Sequence, residues 1–439
     1  MVNILITMRC NRACNYCFAR EKIYSYANKN CQLDITIPNL DKVLNFLANN
    51  NCNIIQLAGG EPTIHSKFDE ILIKTLKQGF HVNILSNSLW TKDNNNLFSS
   101  VPPTKINFLL NIDHPDTYSS SNWARIENNL SCLQGIHNVT LSFNIFERTP
   151  KADYIFDLVS KYNFTNLRLS FSMPVVFGGS INRSLPIEDY KYLAPFVEDF
   201  ISEADNLGAS VKMDNTVPIC MFSKDQLADF LLNGVLDLNN NFTCRPAIDI
   251  GPDLLVWRCF GTSGLFNRKL DEFNSLFDIY EYFERVFKPY RFEVLPMDEC
   301  YECGYAKDEI CQGGCHGYSI ARCTEKNDCP EMITDEILLN QRVRLSKSIS
   351  MRKFQIPRET HLLLLENNVI MEIDPSLKSL LELLDGTRTI NEVISTLMQE
   401  KTVINSNEDP LDSFLVNTVS QKFIPTLRRL IEMRCLVST

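Results

Sequence analysis

Short apolar runs rich in Ile, Val and Leu recur through the first half of the chain, at Ile4–Thr7, Ile54–Leu57, Val82–Leu85, Ile106–Ile112, Val139–Ile145 and Leu167–Phe171. Runs this short, bounded by polar and turn-forming residues, predict β-strands. Between them, Pro38–Ala48, Phe68–Leu76 and Asp153–Tyr162 predict helices. Strands alternating with helices predict an α/β fold with a parallel sheet of βα crossovers, here a partial (β/α)6 barrel. In such a barrel the chemistry gathers at the C-terminal ends of the strands.

After Asn182 a longer helical stretch runs to about Leu207. From there to about Met332 regular periodicities are few. A loop-rich region with little core of its own calls for staples such as metal clusters. From Phe354 the pattern changes again: Leu362–Leu365 and Val369–Ile373 flank Glu366-Asn367-Asn368, which reads as a hairpin. Asp374-Pro375 opens a helix through Leu384 that Gly386 closes. Thr389-Ile390-Asn391-Glu392 fits a capping box for the next helix, and a last helix ends near Arg434. This predicts a small winged-helix-like module, and three domains at 1–215, 216–349 and 350–439.

Composition narrows the function. With 439 residues, 44% of them hydrophobic, the chain can bury a sizeable core. A net charge of −10 argues against a protein that coats nucleic acid or an anionic membrane. The apolar run Met1–Met8 is too short for an export signal or a span, and no other stretch is long enough. The expectation is a soluble cytoplasmic protein. Its sixteen cysteines then call for metal or redox chemistry rather than disulfides. Three fall within Cys10–Cys17 and six within Cys300–Cys329.

Cys10-Asn-Arg-Ala-Cys14-Asn-Tyr-Cys17 follows the first strand directly. Three thiolates on one tight loop can hold three irons of a cubane and leave the fourth open for chemistry. A zinc site would want four ligands, and no fourth Cys or His follows closely. This CxxxCxxC array resembles the signature of the radical S-adenosylmethionine superfamily. The resemblance implies that Cys10, Cys14 and Cys17 hold a 4Fe–4S cluster whose open iron binds S-adenosylmethionine, which is cleaved to a 5′-deoxyadenosyl radical. It places Tyr16 near the adenine, and likens Gly59-Gly60-Glu61-Pro62 to the family's GGEP motif, which contacts the methionyl amine. Paired glycines permit close backbone approach to a ligand, and a carboxylate pairs with an ammonium. By the same resemblance Ser86 and Asn144 hold the ribose or carboxylate, and Asp113 faces substrate or cofactor. Each of these three serves equally well as a turn cap or a buried structural bond.

Cys300-Tyr-Glu-Cys303, Cys311-Gln-Gly-Gly-Cys315 and Cys329-Pro330, with Cys244 and Cys259 upstream, resemble the SPASM domain of peptide-modifying radical enzymes. The resemblance implies two auxiliary 4Fe–4S clusters, one on Cys244, Cys259 and Cys315, the other on Cys300, Cys303, Cys311 and Cys329. The gaps from Cys303 to Cys311 and from Gly251 to Cys259 are longer than that family's. Cys220 is the candidate fourth ligand of the first auxiliary cluster, an open iron being the alternative, and Cys323 competes with Cys329 as last ligand of the second. Structural zinc remains the alternative for the whole region, since CxxC pairs serve zinc too. Cys31, Cys52, Cys132 and Cys435 read as core or surface thiols.

Residues 354–439 resemble the PqqD-like element that binds leader peptides of ribosomally made precursor peptides, with the likeness concentrated in Leu380–Ile394. The hairpin would offer an edge strand for a leader to join. No dense basic face is evident apart from Arg428-Arg429, which disfavours nucleic acid. The reading that emerges is a radical enzyme that oxidatively modifies, and by preference crosslinks, a precursor peptide, fed by an external donor such as flavodoxin or ferredoxin. The alternatives are oxidation of a protein residue as in sulfatase maturation, radical oxidation of a small molecule, or a zinc-stabilised binding protein.

Overall fold

The computed structural model describes residues 2–29, 31–176, 182–238, 240–326, 342–345, 349–354, 360–365, 368–373, 375–396, 427 and 436–438. Cys329, Cys435, Asp374 and the last expected helix lie outside the described residues, apart from position 427. The chain divides into two compact units, Met1–Pro330 and Glu331–Thr439.

In the first unit the six expected strands are present: β1 Val2–Thr7, β2 Ile54–Gly59, β3 His81–Ser86, β4 Ile106–Asn111, β5 Asn138–Ile145 and β6 Asn166–Phe171. They pair in sequence order, all parallel, and β7 (Ser210–Met213) continues the sheet beyond β6. The helices between them are α1 Arg20–Asn28, α2 Ile37–Asn49, α3 Phe68–Lys77, α4 Lys92–Ser100, α5 Ser120–Leu133 and α6 Asp153–Tyr162, followed by α7 Ala194–Asn206. Their local signals are ordinary ones. Thr36 caps α2 through Asn39 N–H with Pro38 in the first turn, and α6 stops at Asn163 in the left-handed conformation, φ 53°. Val2, Ile4 and Ile6 on β1, Ile55 and Leu57 on β2, and Val82 and Ile84 on β3 are completely buried in one continuous core. That is how strands of a sheet covered by helices are expected to read.

The cysteine-bearing stretch is more regular than its sequence suggests. β8 (Ile248–Ile250) pairs parallel with the free side of β1, and β9 (Leu255–Trp257) and β10 (Arg268–Lys269) follow antiparallel, so the sheet has ten strands. These strands have two or three residues each, too few for a periodicity to show. Three further helices, α8 Lys224–Leu232, α9 Leu276–Phe287 and His316–Lys326, and short helical turns are described in the rest of the unit.

The second unit contains a three-stranded antiparallel sheet of β12 (Ile349–Phe354), β13 (Thr360–Leu365) and β14 (Asn368–Ile373), with β13 central. A second sheet joins β11 (Arg342–Leu345) to β15 (Asp385–Thr389) and β16 (Leu436–Ser438). The helix Pro375–Leu383 forms where expected. The capping box forms too: Glu392 N–H donates to Thr389 Oγ1 at 3.2 Å and Thr389 N–H to the Glu392 carboxylate at 2.7 Å.

Candidate active site

β1, β2, β3 and β4 end at Thr7, Gly59, Ser86 and Asn111, and the expected site residues follow on one rim of the sheet. The loop after β1 carries Cys10, Cys14 and Cys17, and α1 begins at Arg20. Gly60 N–H donates to Thr7 O at 2.9 Å and Glu61 N–H to Arg9 O at 2.8 Å, so the Gly-Gly-Glu segment runs alongside the start of the cysteine loop. A Cβ on Gly59 would stand 2.1 Å from Thr7 O, and one on Gly60 2.1 Å from Arg9 O. The absence of a side chain at both positions therefore lets the Gly-Gly-Glu segment pack directly against the start of the cysteine loop.

Glu61 is 1% exposed and firmly held. Its Oε1 accepts from Thr63 Oγ1 (2.6 Å), Thr63 N–H (3.2 Å) and Ser86 Oγ (2.8 Å), and its Oε2 accepts from Asn87 N–H (2.8 Å). Burial pushes its carboxyl upward while these donors pull it back. A carboxylate has about four acceptor positions, two per oxygen, so Oε2 is the oxygen left able to meet an ammonium. Ser86 is 3% exposed; it donates to Glu61 and accepts from Ser88 N–H at 3.1 Å. It thereby helps to hold Glu61 in place.

Asp113, just past β4, joins the cysteine loop through three side chains. It pairs with Arg12 at 2.7 Å, accepts from Tyr16 Oη at 2.5 Å, and lies 3.4 Å from Cys14 Sγ. Arg12 also covers the Tyr118 ring at 3.8 Å. Tyr16 stacks on Phe146 at 5.0 Å, and its carbonyl accepts from Ser172 and Asn182. Asn144 Nδ2 reaches Asn111 Oδ1 at 3.2 Å and the Tyr16 hydroxyl at 3.5 Å. The sequence reading missed Arg12, although it lies inside the CxxxCxxC array.

Loss of hydration is the largest influence on Cys10, Cys14 and Cys17 and pushes each thiol up to about 11. Backbone N–H groups act against it: that of Arg12 on Cys10, and those of Ala19 and Arg20, at the start of α1, on Cys17. Donors aimed at the sulfurs suit anionic thiolates, so the loop fits a cluster ligand set.

Seven of the other described cysteines gather in two places. Cys244, Cys259 and Cys315 surround Arg258, which is 2% exposed and whose Nη1 and Nη2 each stand 3.2 Å from Cys244 Sγ. A hydrogen bond from Cys315, with the Arg258 charge, holds the Cys244 thiol well below its ordinary range. His316 lies against the same set, stacked on Phe287 at 6.0 Å, and burial pushes it down to about 3. Neither of its ring nitrogens has a hydrogen-bond partner among the described residues. Neither Arg258 nor His316 was singled out from sequence, although each adjoins a cysteine that was.

The other set is Cys300, Cys303 and Cys311, and Cys220 faces it. Cys220, the candidate fourth ligand for the Cys244, Cys259 and Cys315 set, interacts electrostatically with Cys311 and Cys303. Cys323 is buried on the helix His316–Lys326. Among the described residues no three Cys, His, Asp or Glu side chains converge as a single ion requires. A cubane instead takes one thiolate at each iron.

Residues 4–138 match the family model described as the Radical SAM superfamily. Over 87 residues the chain is 34% identical to an S-adenosylmethionine-dependent nucleotide dehydratase of Selenomonas ruminantium, covering 20% of this chain and 29% of that protein. The chain thus spans under a third of the length of the curated relatives it matches. Among solved structures it resembles SuiB of Streptococcus suis bound to S-adenosylmethionine, with TM-score 0.51, 16% identity and 72% of each chain covered. It also resembles anSMEcpe with bound AdoMet, with TM-score 0.53, 17% identity, and 72% of this chain and 88% of that one covered. At such identities the likeness to these two is one of fold. With the cysteine loop, the Glu61 cradle and the parallel sheet in place, residues 4–138 are a radical SAM domain.

Proposed function

We propose that the protein is a radical S-adenosylmethionine maturase that oxidatively modifies side chains of a precursor peptide. The observation that carries the chemistry is the loop of Cys10, Cys14 and Cys17 at the rim of the sheet, beside a carboxylate fixed by four donors. Cys10, Cys14 and Cys17 would hold a 4Fe–4S cluster, which when bound would supply the one-electron chemistry for reductive cleavage of S-adenosylmethionine to a hydrogen-abstracting radical. Glu61 Oε2 orients the methionyl ammonium, Ser86 and Thr63 hold Glu61, and Asp113 ties Arg12 and Tyr16 to the loop.

Two further sets, Cys244/Cys259/Cys315 and Cys300/Cys303/Cys311, would hold auxiliary clusters that take an electron from the product radical, which favours an oxidative crosslink over a redox-neutral outcome. Support for a peptide comes from the solved likenesses: SuiB has been captured with its precursor peptide SuiA, and anSMEcpe with the Kp18Cys peptide. The second unit is read as a PqqD-like leader-binding element. Its strand β14 is an edge of a three-stranded sheet among the described residues, and an edge strand can accept an added strand. No helix of the described residues is long and apolar enough to cross a membrane.

A small-molecule substrate is the second reading, favoured by the local identity to a nucleotide dehydratase. Co-expression with any short, leader-bearing open reading frame found beside the gene separates the two. The peptide reading expects a peptide lighter by two hydrogens per modification. An unmodified peptide, with 5′-deoxyadenosine released instead on adding nucleotides, would favour the second.

A further inference from the structure

The segment carrying Cys220 is clasped to the one carrying Cys311. Ile219 N–H donates to Cys311 Sγ at 3.5 Å, so Cys220 is the residue next to a direct backbone contact with that sulfur. The same two segments meet again through Asn241 and Phe242: Val217 N–H donates to Asn241 O at 2.7 Å, and Gln312 N–H to Phe242 O at 3.1 Å. Asn241 is itself fixed by its Nδ2 donating to Met213 O and Asn215 O. Ile219 and Met221 are buried and Cys220 between them is exposed, so the turn Ile219–Met221 anchors the flanks of Cys220.

Cys300 and Cys303 pack together in a small apolar cluster with Leu295 and Ala306. Gly313 bridges from them to Cys311: its N–H donates to Cys311 Sγ at 3.3 Å, and a Cβ at that position would stand 3.2 Å from Cys300 Sγ. Cys220 interacts electrostatically with Cys311 and Cys303, and Cys300 with Cys220, Cys311 and Cys303.

We infer that Cys220 supplies the fourth thiolate of the Cys300, Cys303 and Cys311 set, in place of a cysteine from the stretch after 326. The inference rests on the auxiliary-cluster reading above. On it, each of the four thiols gives its proton to solvent as its sulfur bonds to one iron of a cubane. The second set would then be closed, with no iron left open, while the Cys244, Cys259 and Cys315 set keeps three thiolates.

The test uses the full chain carrying C10A, C14A and C17A, so that only auxiliary iron is counted after anaerobic reconstitution with ferrous iron and sulfide. Adding Cys220→Ser should lower iron and sulfide by about four each per chain, or leave a three-iron remnant visible by electron paramagnetic resonance. Adding Cys329→Ser instead should leave the counts unchanged. Retention of the full complement by the Cys220→Ser chain, with loss from the Cys329→Ser chain, would overturn the inference.

Alkylation of the unsubstituted chain with iodoacetamide, before and after reconstitution, guards against misfolded variants. Cys220 should become protected together with Cys300, Cys303 and Cys311. Labelling of Cys220 at its original rate in the reconstituted chain would count against it. Zinc without sulfide in the parent would sink the cluster reading, and its loss from the Cys220→Ser chain would still support the four-thiolate set.

Discussion

Two groups of three cysteines in the same compact unit differ in what surrounds their sulfur. Cys10, Cys14 and Cys17 lie on a loop among charges of both signs, Arg12, Asp113 and Glu61. All three thiols are pushed up to about 11, and Cys10 is exposed. Cys244, Cys259 and Cys315 instead enclose a buried guanidinium, and Cys244 is held well below its ordinary range. An accessible loop with a fixed carboxylate nearby suits the binding of an external ligand. An enclosed set with its own cation suits a centre whose charge is balanced internally, as an electron relay requires. On the proposed function, chemistry and relay would be separated by surroundings more than by ligand type.

The largest test of this contrast removes the accessible group. The C10A/C14A/C17A chain should lose about four iron and release no 5′-deoxyadenosine above buffer, yet keep its auxiliary iron. Simultaneous loss of all iron, measured by metal and sulfide analysis, would break the separation.

Arg258→Gln should strike the enclosed group alone. Removing one partner of a buried charge pair costs roughly 3–5 kcal/mol, read as a fall in Tm. In chain prepared without iron, the pH at which Cys244 becomes reactive to alkylation should rise, while Cys10 keeps its reactivity midpoint near 11.

Asp249 ties β8 to β1, because Asn3 on β1 donates to it at 2.6 Å from the neighbouring strand. Burial raises its carboxyl from 3.8 to about 7. A carboxyl that binds its proton more tightly when folded stabilises the fold fully below about pH 4, and that contribution is lost as pH rises through about 7. The loss amounts to at most about 4 kcal/mol. Denaturant melts across pH 4–8 should show this slope, and Asp249→Asn should flatten it.

The smallest effect is expected from Ser86→Ala, which leaves Glu61 with one donor fewer. A loss of about 1 kcal/mol in stability should accompany a modest weakening of S-adenosylmethionine binding by calorimetry. Unchanged binding would confine Ser86 to the fold.

The strands of the first half were legible because Ile4, Leu57, Ile84 and their neighbours form apolar runs buried between layers. The cysteine loop was legible from spacing alone. Less visible were β8 to β10, too short to show a period, and the partnership of Cys220, which depends on a backbone contact between segments 92 residues apart. The packing of the Gly59–Gly60 pair against Thr7 and Arg9 was hidden for a related reason: sequence shows that a close approach is needed and not everything that approaches.

The most direct measurement is electron paramagnetic resonance of the anaerobically reconstituted, reduced protein before and after adding S-adenosylmethionine. The spectrum of the Cys10, Cys14 and Cys17 cluster should shift on addition, and the shift should be absent from the C10A/C14A/C17A chain. A reduced signal indifferent to S-adenosylmethionine, or no cubane signal attributable to those three cysteines, would contradict the assignment.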